Sequence, residues 1–162
     1  MVFNIHTDGE LERRKIFLKL MESLKLTKVV IIHGDNIFKN QLNDIDKLGI
    51  SKFHHSEVGK ISENYDTCIL YNLIKPIDIE TSTILNMNNK ILMSSHRYYS
   101  PSFLSNKLGI LTSEIKSFEG YGNGNFFTMG NSKFDSIDST QLITFITREI
   151  KLGNLLNKEN KK

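Results

Sequence analysis

Three short runs of the chain are almost wholly apolar and rich in β-branched residues: Lys28-Val29-Val30-Ile31-Ile32-His33, Asp66–Leu73, and Lys90-Ile91-Leu92-Met93-Ser94-Ser95. Each is too short for a buried helix and too uniformly greasy for a strand with one wet face. Strands covered on both faces read this way, and a parallel sheet is where such strands occur. Covering both faces requires helices above and below, so these runs constrain the fold class more than any other feature.

The segments between them supply those helices. Phe17, Leu20, Met21 and Leu24 recur at i, i+3, i+4 and i+7, the apolar stripe of one helix. Thr7 and Glu10 have the spacing of a capping box, which places its start near Thr7 or Asp8. Phe38, Leu42 and Ile45 mark a second helix that ends before Gly49, and Ile50–Val58 holds a weaker strand. Lys75-Pro76 closes the Asp66–Leu73 run, and Asp78 can cap a helix carrying Ile84, Leu85 and Met87. Ser100-Pro101 opens a helix that runs to Leu108, with Gly109 beyond its end. Leu111–Gly122 and Asn125–Gly130 flank Asn123-Gly124, a hairpin signal. A last helix spans about Asp138 to Leu152, with Asp138 and Gln141 as its capping pair and Leu142, Phe145, Ile146 and Ile150 as its stripe. The order α-β-α-β-β-α-β-α-β-β-α predicts a three-layer, Rossmann-like α/β domain: a mostly parallel sheet with a C-terminal antiparallel hairpin.

The 162 residues amount to one domain, expected over 1–152, followed by a lysine-rich flexible tail at 153–162. The hydrophobic share of 39% with 24% charge is globular rather than disordered composition. The net charge of +3 is carried by the end of the chain: Lys151, Lys158, Lys161 and Lys162 against Glu159 make 4 − 1 = +3. The body is therefore balanced at 17 positive and 17 negative residues, without the overall basic footprint of a nucleic-acid binder. Cys68 is the single cysteine, which excludes an internal disulfide and multi-cysteine zinc sites, and its apolar surroundings predict a buried thiol. His54 and His55 are adjacent, and on a strand they point to opposite faces, so no shared metal is expected. Neither a membrane span nor a secretory leader is read, and the cytoplasm is the expected location.

In open α/β sheets ligands bind beyond the carboxyl ends of the strands. The loops leaving the three strong strands there are His33-Gly34-Asp35-Asn36, Asn72–Pro76, and Ser94-Ser95-His96-Arg97-Tyr98-Tyr99. The candidate ligand-binding residues are therefore Gly34, Asp35, Asn36, Asn72, Ser94, Ser95, His96 and Arg97. Gly34 permits close backbone approach, and the helix after Asn36 offers free N–H groups to an anion. Asp35 can accept from a ribose or an amine. Arg97 can hold a phosphate or carboxylate bidentately, and His96 titrates near neutral pH. The bland alternatives stand beside these: a plain strand-to-helix turn at Gly34, and loop-capping serines with Arg97 packed on a tyrosine. Gly120-Tyr121-Gly122-Asn123-Gly124 lies between strands and reads as hairpin chemistry rather than a phosphate loop.

Several catalytic signatures are missing. The turn after Lys28–His33 lacks the second glycine and the lysine-hydroxyl pair of a nucleotide-hydrolysing phosphate loop, and the three glycines of a dinucleotide fingerprint. No G-x-S-x-G elbow occurs. From Lys28 to Gly130 the order of elements resembles a trimmed class I S-adenosylmethionine-dependent methyltransferase. Asp66–Leu73 stands as the strand before that family's catalytic loop, and Asn72-Leu73-Ile74-Lys75-Pro76 is loosely similar to that loop. The resemblance implies Asp35 and Glu57 near the cofactor and Asn72 near the acceptor. The order is equally similar to a RecA-type core without its phosphate loop. Both likenesses are topological, and topology does not assign function. The expected role is a non-catalytic or degenerate nucleotide-binding-fold protein that works as a binding or accessory subunit, with a protein partner expected and a nucleotide-like ligand or nucleic-acid transactions left open. A divergent methyltransferase and a single-stranded nucleic-acid binder using Arg97, Tyr98, Phe126 and the lysine tail are the alternatives. No catalytic residue and no metal are expected; S-adenosylmethionine or a nucleotide is the conceivable small ligand.

Overall fold

The computed structural model describes residues 1–7, 9–24, 28–34, 39–61, 64–71, 87–94, 101–121, 126–129 and 136–160. In chain order these form β1 (Val2–His6), α1 (Glu10–Leu24), β2 (Val29–His33), α2 (Lys39–Leu48), β3 (Ser51–His54), a 3-10 turn (His55–Lys60), β4 (Thr67–Tyr71) and β5 (Asn89–Ser94). There follow α3 (Pro101–Leu108), a short 3-10 turn (Thr112–Glu114), β6 (Ile115–Tyr121), β7 (Phe126–Met129), β8 (Ser136–Asp138) and α4 (Ser139–Asn160). The eight strands make one sheet in the order β3-β2-β4-β5-β1-β6-β7-β8. Strands β1 to β6 pair in parallel, and β7 and β8 add an antiparallel edge. The expected three-layer architecture is therefore present.

Alternation along the buried strands divides the core in two. Phe3, Ile5, Ile31, Ile69 and Tyr71 face one way and meet Phe17 and Leu20 of α1, Ile45 of α2, and Leu142 and Ile146 of α4. Val2, Val30, Ile32, Cys68, Leu70 and Leu92 face the other way and meet Val58 and Leu104. Each fully buried side chain of this size contributes about 1.5–3 kcal/mol relative to exposure. Burial also pushes the Cys68 thiol up to about 12, so it packs as a hydrophobe.

Two strands escaped the sequence pattern. β1 lies at the centre of the sheet between β5 and β6, with all five residues buried. Its polar Asn4 and His6 break the greasy run by which the other central strands are recognised. β8 is three residues long and pairs with β7 at the edge. Once β1 occupies Val2–His6, α1 cannot start at Thr7. It starts at Glu10, and the Gly9 carbonyl accepts from the Arg13 N–H at 2.9 Å.

The helix ends behave as the residues suggest. Gly49 and Gly109 follow α2 and α3 with φ of 70° and 65°, the left-handed cap that glycine adopts without penalty. At the start of α4 the Asp138 N–H donates to Gln141 Oε1 (2.9 Å) and the Gln141 N–H to Asp138 Oδ1 (2.8 Å), a reciprocal capping box. α4 continues to Asn160 rather than stopping at Leu152. The helix expected after Asp78 and the Asn123-Gly124 turn lie outside the described residues. Among the described residues no helix is long and apolar enough to cross a membrane.

Candidate functional site

The carboxyl ends of β2, β4 and β5 do gather at one rim. His33 is the register partner of Tyr71, and Tyr71 that of Met93. β1 joins them, with His6 opposite Ser94. Of the predicted site residues, Gly34 and the backbone of Ser94 are on this rim. Asp35, Asn36, Asn72, Ser95, His96 and Arg97 lie outside the described residues. Gly34 is buried, and its N–H donates to the Tyr71 carbonyl (3.4 Å).

The strand order locates the place where such a sheet opens. The β1-to-β2 crossover carries α1 on the face with Phe3 and Ile5; the β5-to-β6 crossover carries α3 on the face with Val2 and Leu92. β1 and β5 are neighbours whose crossovers leave to opposite faces, which defines a topological switch point. In phosphate-binding folds the strand–loop–helix unit at such a point holds the anion on the helix N-terminus. Here that unit is His6-Thr7-Asp8-Gly9-Glu10, which again lacks a phosphate-loop pattern.

The chain's own side chains fill the space beneath this turn. Arg13 is 4% exposed, and its Nη1 donates to the Thr7 carbonyl at 2.8 Å. Gln41 Nε2 donates to the Tyr71 hydroxyl at 2.7 Å. The Tyr71 ring packs on Phe17, with centroids 4.2 Å apart. Burial raises the Tyr71 pKa above that of an ordinary phenol, against the opposing pull of the Gln41 bond and the Arg13 charge. The phenol is thus neutral at pH 7 and accepts from Gln41 rather than serving as a nucleophile. Arg13 Nε has no partner among the described residues. The first turn of α1 carries Glu10 and Glu12, which favour the positive helix end and repel a phosphate there. On the other side Thr7 presses against Gly120 of β6. A Cβ at Gly120 would lie 3.2 Å from Thr7 Oγ1 and 2.9 Å from the Phe127 ring. Gly120 therefore permits close packing between strands.

Sequence reasoning missed Thr7, Arg13 and Gln41 as rim residues, although a signal existed. Arg13 sits four residues before Phe17 on the apolar stripe of α1, and Gln41 sits four before Ile45 on that of α2. A polar residue on a buried stripe must find a buried partner.

A second polar group lies at the ends of β2 and β3. The His33 and His54 rings are 5.7 Å apart, and those of His54 and His55 are 4.2 Å apart. The alternation expected of adjacent histidines does not apply, because His55 leaves the strand and opens the 3-10 turn. His54 Nδ1 accepts from the Ser56 N–H (3.3 Å), while the His54 N–H donates to Glu57 Oε1 (3.3 Å). This pairing caps the turn. His33 donates through Nδ1 to the Gly34 carbonyl at 3.0 Å. Its pKa is lowered, chiefly by burial and further by His54 and Lys52. Among the described residues no three His, Cys, Asp or Glu side chains are placed to hold a metal ion. Phe127 is buried in the core, whereas the side chains of Phe126 and the final lysines lie outside the described set.

The described residues form an α/β protein with a mostly parallel sheet and with Arg13, Gln41 and Tyr71 buried towards its carboxyl rim. Comparison with known protein families finds no matching family, and comparison with curated proteins finds no relative.

Proposed function

We propose that the chain is a non-catalytic member of a nucleotide-binding α/β fold and works as an accessory subunit that binds a protein partner. One observation carries this reading. The helix end that follows β1, where such folds place an anionic ligand, has Arg13 bonded back to the Thr7 carbonyl beside the buried Gln41–Tyr71 pair, and is edged by Glu10 and Glu12. Ligand binding there would have to break bonds already made between buried groups, each costing about 1–3 kcal/mol if left unmade.

The test is thermal unfolding with millimolar Mg·ATP, Mg·GTP or S-adenosylmethionine. A ligand at 100 times its dissociation constant stabilises by about 2.7 kcal/mol, which raises the melting temperature of a chain this size by roughly 5–10 °C. The expected result is no shift with any of the three. A saturable shift, or turnover of any of them, would replace the accessory reading with an enzymatic or ligand-sensing one.

A further inference from the structure

The outer surface of the α1/α4 layer carries a feature that the rim does not account for. The first half of α4 buries Leu142, Ile143, Ile146 and Ile150, as an amphipathic helix on a sheet should. Beyond Ile150 the pattern inverts. Leu152, Leu155 and Leu156 are 51%, 58% and 51% exposed, and their i, i+3, i+4 spacing puts them on one stripe. This part of the helix is nevertheless fastened down. Asn154 Oδ1 accepts from Asn89 Nδ2 at 3.2 Å, at the amino end of β5. The leucines are therefore presented by an anchored helix.

Beside them runs a groove between α1 and α4. Its main depression, about 690 Å³, is lined mostly by apolar surface from Ile143, Thr147, Leu152 and Leu155, with Arg148 and Lys151 at its border. A second depression of about 480 Å³ adjoins it, sharing Ser23, Ile143 and Thr144 and reaching Thr140. From Thr140 to Leu155 the helix rises about 22 Å at 1.5 Å per residue, the length of a short docked helix. Among the described residues neither Arg148 nor Lys151 forms an ion pair, and Thr147 Oγ1 is buried without a partner.

We infer that this groove receives an amphipathic helix of a protein partner, whose apolar stripe covers Leu152 and Leu155 and whose acidic residues meet Arg148 and Lys151. The inference rests on the accessory reading and gives it a surface. Charge selects this occupant. A second copy related by a two-fold axis would present the same cations to each other. Nucleic acid would satisfy the cations but leave the three leucines against phosphates. A membrane surface is flat and would not enter the groove, whereas a helix with apolar anchors at i, i+3, i+4 and i+7 fits one.

The experiment is selection of a displayed library of about 20-residue helical peptides on the immobilised full chain. Enriched peptides should combine an i, i+3, i+4 apolar stripe with acidic residues. Their affinity should fall at least tenfold on Leu155→Asp and on Lys151→Glu, two exposed positions where circular dichroism should remain that of the parent. The double variant Arg148→Glu/Lys151→Glu should select basic peptides instead. Three outcomes would overturn the proposal. The first is no enriched peptide that depends on these residues. The second is equal loss of binding to vesicles with 30% phosphatidylserine, or to a 20-nucleotide oligothymidine, in the same variants. The third is a wild-type dimer that Leu155→Asp makes monomeric. Melting with nucleotide, run on the same samples, separates the two claims. A nucleotide shift removes the accessory reading whatever the peptides do, and a failed selection without a shift removes only this occupant.

Discussion

The carboxyl rim of the sheet and the far half of α4 treat their side chains in opposite ways. Among the described residues towards the rim, where an α/β fold ordinarily keeps polar groups free for a ligand, Arg13 is buried on the Thr7 carbonyl and Gln41 on the Tyr71 hydroxyl. On α4, where a surface helix ordinarily turns polar residues outward, Leu152, Leu155 and Leu156 face solvent. The rim residues hold the fold together at the place where chemistry would be sought. The leucines contribute little to the fold and leave apolar surface for another molecule to cover. The difference teaches that position relative to the strand ends names a candidate site, while the bonding state of its groups decides whether anything is left to bind.

The widest gap between the two regions should appear on truncation. Tyr71→Ala removes a fully buried ring packed on Phe17 and orphans the Gln41 donor, and should cost about 4 kcal/mol in urea unfolding. Tyr71→Phe keeps the ring, and should cost about 1–2 kcal/mol through the unmet Gln41 donor alone. A cost near zero for Tyr71→Phe would mean that water or a ligand already serves that donor, and the rim would then count as an open site.

How far the sequence disclosed this contrast depended on the kind of signal. The strands β2, β4 and β5 were legible because uninterrupted apolar β-branched runs have few other uses, and their common rim followed from parallel pairing. Gly49, Gly109 and the Asp138–Gln141 pair were legible because caps are local chemistry. β1 was not, since Asn4 and His6 give it the composition of a half-exposed segment while neighbours on both sides bury it. The first strand-to-helix turn moved with it, from the turn after His33 to the turn after His6. The Gln41–Tyr71 bond joins α2 to β4, and no local pattern reports a bond between residues 30 apart. Leu155 and Leu156 were missed because the lysine-rich end of the chain at 153–162 reads as a solvated tail, whereas α4 continues to Asn160.

Gly120 tests how tightly the rim is closed. A Cβ there meets the Phe127 ring at 2.9 Å and Thr7 at 3.2 Å, both buried and neither free to retreat into solvent. Gly120→Val should cost about 2 kcal/mol by overpacking, measured by the same urea titration. A tolerated valine would reveal room beside Thr7 that a ligand could use. Asp138→Ala probes the other region at its anchored end. It deletes one half of the capping box on α4 and should cost about 1 kcal/mol, with helical circular dichroism little changed.

The smallest expected effect is the one that most sharply separates the regions. Leu155→Asp puts a charge on a side chain that is 58% exposed, on the stripe opposite the buried Ile146 and Ile150 contacts. A substitution that breaks no buried contact should change unfolding free energy by no more than about 0.5 kcal/mol. Exposing less apolar surface should also lower any tendency to self-associate at high concentration. If Leu155→Asp instead destabilised the chain as Gly120→Val does, the leucines would belong to the fold, held by contacts with the chain's final residues. The contrast between a closed rim and an available helix face would then collapse. A neutral result leaves three leucines on a fixed helix with no stabilising role, which is the condition for a surface kept for a partner.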